Sequence, residues 1–279
     1  VPFTVSHAVV AIPLRRTALP ASAVAVGAMT PDLRLFVPVA PLYEITHSLA
    51  WLPVTTALAG LVWACWRFLV APAASDLSPV ALASRYPAAS HHPGRTRTTT
   101  AATAASPVAR LALTVAALAL GVLTHVVWDA FTHHGRWGVD AVGWLTTRVG
   151  GTSLYTWLQD GSSVLGLVVI AIWFARLPRR TLTSSSSSAS ANDTRTTSRH
   201  RARWWRRLAV AGVLASLVVA AGAGVATGGP LWRLAYVAST TAVVGVVAVV
   251  VVTSLGWHLT RASAGPPPDP ATTPAPESP

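Results

Sequence analysis

Residues 111–134 read LALTVAALALGVLTHVVWDAFTHH. From Leu111 to Trp128 the run holds no Asp, Glu, Lys or Arg, and it is close to the roughly 20 apolar residues that cross a bilayer as a helix. A membrane β-strand alternates apolar and polar residues, whereas this run is continuous, so it reads as a transmembrane helix. It closes on His125, Asp129, His133 and His134. Charge and imidazole at the end of a membrane helix are expensive, which makes them candidates for function.

Comparable runs lie at 48–66, 208–227 and 234–261, the last apolar to about Trp257. A shorter one, 161–175, is bracketed by Asp160 and by Arg176, whose long side chain can snorkel to the interface. The expected fold class is therefore all-α: a polytopic integral membrane helical bundle of about five transmembrane helices.

Composition agrees. Of 279 residues, 52% are apolar and 11% are charged, and mean hydropathy is +0.51. Soluble domains carry about 25% charged residues, so a soluble globular enzyme is excluded. All 21 basic residues are arginine, against nine acidic ones. Lysine-free, Ala/Val/Arg-rich usage suggests a GC-rich bacterial genome and a bacterial plasma membrane. The single cysteine, Cys65, has no partner for an intrachain disulfide and reads as membrane packing.

The arginines give an expected topology. Nine lie in 176–207, five in 67–110 and one at 261, making fifteen on the cytoplasmic side under the positive-inside rule. Arg34, Arg136, Arg148 and Arg233 fall outside, and Arg15 and Arg16 stay unassigned. The net charge of +12 is then a topology signal, with membrane lipid and not nucleic acid as the expected partner. Segments 71–107, 181–203 and 262–279, rich in Ala, Pro, Ser and Thr, are expected to be disordered. Their His91, His92 and His200 are at most adventitious ligands. The tryptophans near the span ends (51, 63, 66, 128, 204, 205, 232, 257) read as an aromatic belt, and Gly222 and Gly224 as close helix packing.

Residues 1–47 differ. Apolar pieces 8–14 and 21–30 are broken by Pro13, Arg15, Arg16 and Pro20, so neither spans alone. The arginines follow the first apolar run instead of preceding it, so a cleaved signal is not expected. A short hairpin, broken or re-entrant, fits better, and it would bring His7 back near Asp32.

Six scarce polar residues then gather on the expected outer side: Asp32, Glu44, His47, His125, Asp129 and His133. His125 and Asp129 are four apart and share one helix face, a spacing that can hold one metal ion. His133 has drifted about 80° around an ideal helix and joins only if the helix end bends, for which Gly135 is a natural stop. Mixed imidazole and carboxylate donors suit zinc, manganese or iron, and Asp32 or Glu44 could serve as ligand or general base. A proton relay uses the same residues.

Taken in order, Pro2-Phe3-Thr4-Val5-Ser6-His7, Gly27-Ala28-Met29-Thr30-Pro31-Asp32, His47-Ser48 and His125-Val126-Val127-Trp128-Asp129-Ala130-Phe131-Thr132-His133 resemble the bacterial membrane family called domain of unknown function 4184, over roughly residues 2–255. More distantly they are similar to predicted inner-membrane metal-dependent hydrolases, and beyond those to the zinc-dependent phospholipase C group. That likeness implies His7, Asp32, His47, His125 and Asp129 as ligands of a divalent metal such as zinc. It also implies hydrolysis of a phosphoester, in a small molecule or a lipid. Leu42 and Tyr43 stand where the hydrolases have His-Arg, and Glu44 is the acid offered in their place as the catalytic group. The alternative function is a non-catalytic scaffold, or a transport-related protein binding ions or protons.

Overall fold

The computed structural model describes residues 4–37, 40–78, 106–178 and 192–262, and of 75–76, 192–202 and 261–262 the backbone alone. The described chain is almost wholly helical. A 3-10 helix, Thr4–Val10, leads into α1 (Ala11–Leu14). Then come α2 (Ala21–Met29), a second 3-10 helix (Thr30–Leu35) and α3 (Tyr43–Thr46). Helix α4 (Leu52–Ala64) passes through a π-helical turn, Cys65–Val70, into α5 (Ala71–Leu77). The remaining helices are α6 (Pro107–Thr132), α7 (Trp137–Ala141), α8 (Leu154–Ala175), α9 (Asn192–Thr227) and α10 (Leu231–Ala262). A two-residue ribbon, Arg148–Val149 with Thr152–Ser153, precedes α8.

Five stretches are long and apolar enough to cross a membrane: Leu49–Ala74, Pro107–Thr132, Leu154–Ala175, Arg203–Thr227 and Leu231–Thr260. These are the five expected spans, with three boundaries moved. Helix continues through 71–77, and it also covers 192–203, where Arg and Ala favour it and the sequence reads as loop. The third span begins at Leu154, so Asp160 lies inside the helix and does not mark its start. The remainder of the expected disordered segments, with His91 and His92, lies outside the described residues, as does the side chain of His200.

Helix α6 is the centre. A third of its span is buried, against at most 17% of any other, because lipid covers most of the outer helices. Pro107 stands at its start, and the Ser106 hydroxyl caps it by accepting from Ala109 N at 3.2 Å. Its buried stripe includes Ala117, Gly121, His125 and Asp129, at four-residue spacing. The hairpin of residues 4–29 packs on that stripe. A Cβ at Gly121 would meet Ala28 N at 2.7 Å and the Val24 carbonyl closer still, and one at Gly27 would strike the Leu118 carbonyl. Two backbones touch here, which only glycine allows. On the hairpin's other side, Gly166 of α8 admits Ser6, whose carbonyl would lie 3.0 Å from a Cβ there.

Helices α9 and α10 form an antiparallel pair, turned by Gly228 and Gly229 at φ of 59° and 90°. Gly224 packs as expected, 3.0 Å from the Ala238 Cβ, whereas Gly222 faces open space. Trp257 also departs from the belt: it is buried on Ala73 and Leu77, with Trp205 against it. Cys65 lies on an exposed face of the π-helical turn, where it has no packing role inside the bundle.

Candidate metal centre

Three elements meet at the C-terminal end of α6, itself one of them. The turn after α2 carries Asp32, the C-terminus of α3 presents His47, and α6 supplies His125 and Asp129. All four are buried. One ligand atom from each lies within 4.8 Å of the others. The nearest pairs are closer. His47 Nε2 is 3.2 Å from His125 Nε2, 3.4 Å from Asp32 Oδ1 and 3.4 Å from Asp129 Oδ2. His125 Nε2 is 3.7 Å from Asp32 Oδ1 and 3.3 Å from Asp129 Oδ2.

The hydrogen bonds behind the rings fix what these atoms are. His125 Nδ1 is 2.7 Å from the carbonyl of Ala28. His47 Nδ1 is 3.1 Å from the carbonyl of Tyr43 and 3.1 Å from the Thr46 hydroxyl, whose own proton goes to Pro31 O at 2.8 Å. A carbonyl only accepts, so both Nδ1 atoms donate, and in the neutral rings both Nε2 atoms are left bare. Two nitrogen lone pairs and two carboxylate oxygens therefore face one point. They repel unless a metal ion or a proton lies among them.

The donors fit a metal ion. Zinc–nitrogen and zinc–oxygen bonds of about 2.0–2.2 Å in a tetrahedron set ligand atoms roughly 3.3–3.5 Å apart. Five of the six edges, 3.2 to 3.7 Å, bracket that length, and the sixth, between the two carboxylates, is within 4.8 Å. The outer contacts are those of a ligand shell too: backbone carbonyls orient both imidazoles, and Thr4 Oγ1 donates to Asp32 Oδ2 at 2.6 Å, leaving Oδ1 free. Asp32, His47, His125 and Asp129 could thus bind a metal ion.

Of the other expected residues, His7 and His133 border this group and Glu44 does not. The His7 ring stacks on His125 with centroids 4.0 Å apart, and its Nε2 lies 3.8 Å from Asp129 Oδ1. Burial, and His125 beside it, push the His7 imidazole down to about 4, so it is neutral at pH 7. Helix α6 stops at Thr132 and His133 turns into extended backbone, as the Gly135 stop implies. His133 Nδ1 then reaches 3.6 Å from Asp129 Oδ2, while its Nε2 accepts from Gln159 Nε2 at 2.9 Å. Glu44 is exposed on α3, a helix of one turn; its neighbour Tyr43 points inward instead and stacks on His47 at 3.7 Å. Burial, with Asp129 nearby, raises the Tyr43 phenol to about 12. Burial also works against ionised Asp32, but with no metal bound the His47 and His125 imidazoles, once protonated, and the Thr4 hydroxyl outweigh it and hold its carboxyl below the usual range.

A cavity of about 270 Å³ opens beside the carboxylates. His7, Asp32, Tyr43, Asp129, His133 and Gln159 are among its walls. Thr4, Tyr43, Gln159 and Ser163 carry no role in the sequence reading. The last two are four apart on α8, on one helix face, a signal hidden by starting that span at residue 161. Nothing in a one-turn α3 distinguishes Tyr43 from Glu44 by periodicity.

A family profile described as "Domain of unknown function (DUF4184)" matches residues 1–262. The chain belongs to the DUF4184 family. No curated protein and no solved structure matches it significantly. Since the family name assigns no activity, the function of this DUF4184 chain is argued from its geometry.

Proposed function

We propose that this DUF4184 protein holds one divalent cation, zinc by preference, at Asp32, His47, His125 and Asp129, and hydrolyses a phosphoester at the outer face of the cell membrane. The observation that supports the metal is the convergence of four ligand atoms, five of their separations near a tetrahedron's edge, with both Nδ1 protons pointing away. A catalytic zinc keeps a position open for water or substrate, so one of the four ligands yields to it or the shell widens to a fifth. Asp32 and Asp129 border the cavity whereas His47 and His125 do not, so substrate approaches along the carboxylate edge. A cation bound there supplies Lewis acidity, polarising a phosphoryl oxygen and acidifying water. Around it, the ring nitrogens of His7 and His133 take up or return a proton, and the Tyr43 hydroxyl donates to a developing oxyanion. The arginine asymmetry supports the outer side.

The 3.2 Å gap between two bare Nε2 atoms also fits a shared proton, which favours the second reading, a non-catalytic ion- or proton-binding protein. Metal analysis of detergent-purified protein separates the two. Wild type should hold about one equivalent of zinc per chain and a His125→Ala, Asp129→Ala variant almost none. Equal metal content in both sinks the metal reading and leaves the proton. Metal without turnover of bis-p-nitrophenyl phosphate or phospholipid sinks the hydrolase. For the side, Cys65→Ser, His134→Cys protein should react with an impermeant maleimide on intact cells, and protection would put the site on the other face.

A further inference from the structure

A second cavity, about 390 Å³ and mostly apolar, adjoins the first. It lies between the 3-10 helix Thr4–Val10, α6 and α8, and shares His7, Trp128 and Ser163 with the polar cavity. Its volume is within the range of about 300–1,000 Å³ typical of ligand sites.

The α6 and α8 walls run the same way, and the 3-10 helix flanks them, its Ser6 also bordering the groove alone. On the 3-10 helix, His7 borders both cavities and Val9 and Val10 border the groove alone. On α6, Trp128 borders both and Thr124, one turn further into the span, the groove alone. On α8, Ser163 borders both and Val169 the groove alone, six residues or about 9 Å deeper along the helix. Each step away from the carboxylates is thus a step from the ends of the second and third spans towards the bilayer middle. The groove also opens onto lipid-facing surface: Leu165, in its wall, is 63% exposed, and Val164 and Val168 beside it are 55% and 46% exposed.

We infer that the substrate is a lipid of the bilayer itself, with its phosphoester headgroup in the polar cavity and one hydrocarbon chain in this groove. A water-soluble phosphoester would have no use for an apolar extension aligned with the membrane normal. A lipid needs both parts at these depths. Trp128 stands at the junction, its indole N–H donated to the Ser162 hydroxyl at 3.2 Å, as an aromatic at the interface between chain and headgroup would be. The inference rests on the hydrolase reading for its chemistry, but the groove can be tested without it.

Purified protein is reconstituted in phosphatidylethanolamine–phosphatidylglycerol vesicles containing a phosphatidylglycerol with a mid-chain diazirine. The vesicles are irradiated and the adducts mapped by mass spectrometry. Adducts should concentrate on groove residues such as Val9, Thr124 and Val169. Val169→Trp, which fills the groove, should reduce them roughly tenfold, the loss expected from about two buried methylenes. Val168→Trp, on the open lipid face, should leave them unchanged. If Val169→Trp does not elute as wild type, Val10→Phe fills the groove from the opposite wall. Adducts spread evenly over the outer faces of the spans, or unaffected by filling, overturn the inference. Turnover of bis-p-nitrophenyl phosphate without groove adducts leaves the hydrolase standing and removes the lipid. Groove adducts without any turnover do the reverse, removing the hydrolase and leaving the lipid site.

Discussion

A methyl group at Gly121 tests whether the backbone contact between hairpin and span sets the metal geometry. Gly121→Ala changes no ligand. Its Cβ would stand 2.7 Å from Ala28 N, and the Val24 carbonyl is nearer. Ordinary contact begins at 3.4 Å, so the two backbones must part by more than about 0.7 Å, the nearer Val24 carbonyl setting the limit. Overpacking costs about 1–3 kcal/mol and more against backbone, as here, so retained elution and helix content are the check that the variant folds. The displacement falls on the site, because Ala28 O orients His125 and the chain four residues on carries Asp32. Metal–ligand distances tolerate about 0.2 Å, several times less than the shift. Zinc affinity, measured by competition with a chromogenic chelator in detergent, should fall at least roughly tenfold, with helix content unchanged by circular dichroism. Gly222→Ala, where a Cβ meets nothing within 4 Å, is the control and should bind as wild type. A Gly121→Ala protein that binds zinc as tightly as wild type would refute the coupling, showing that the hairpin yields without moving its ligands.

Three further outcomes are expected. Thr4→Val deletes the 2.6 Å hydrogen bond to Asp32 while keeping shape, and isothermal titration should show zinc affinity reduced about 10–100-fold; an unchanged affinity would mean Asp32 needs no such support. Glu44→Gln, at an exposed position, should alter neither metal content nor turnover, and a lost activity would restore Glu44 as the catalytic acid. Metal-free wild type should lose thermal stability as pH falls from 6.5 towards 4. The His7 pKa is lowered from its ordinary 6.5 to about 4, so the unfolded chain binds the proton first; the contribution is complete above 6.5, on the order of 3 kcal/mol, and drains below it. His7→Gln should flatten that slope in a thermal scan, and an equally steep slope would assign it to other groups.

The five spans were legible because hydrocarbon imposes a simple demand, about twenty apolar residues with every backbone group bonded within the helix. That demand is met locally, so runs such as Leu231–Thr260 declare themselves without reference to their neighbours. The scarcity of charge likewise singled out Asp32, His47, His125 and Asp129, since an ionisable group in such a chain has few structural uses. Boundaries were less legible. Asp160 looks like an edge but lies in α8, because one exposed carboxylate in a helix costs little near the interface.

The sequence by itself determined the helical membrane class, the number of spans and the short roster of polar residues, because those follow from transfer of side chains into lipid one segment at a time. Only the tertiary structure decided which of that roster meet. Contacts such as Thr4 with Asp32, 28 residues apart, or His47 with His125, 78 apart, join segments distant in the chain, and beside them two glycines let the hairpin backbone touch α6. It also decided that Tyr43 and not Glu44 faces inward, and that a polar cavity continues into an apolar groove. Packing between separate segments sets these outcomes, and no local periodicity in the chain records it.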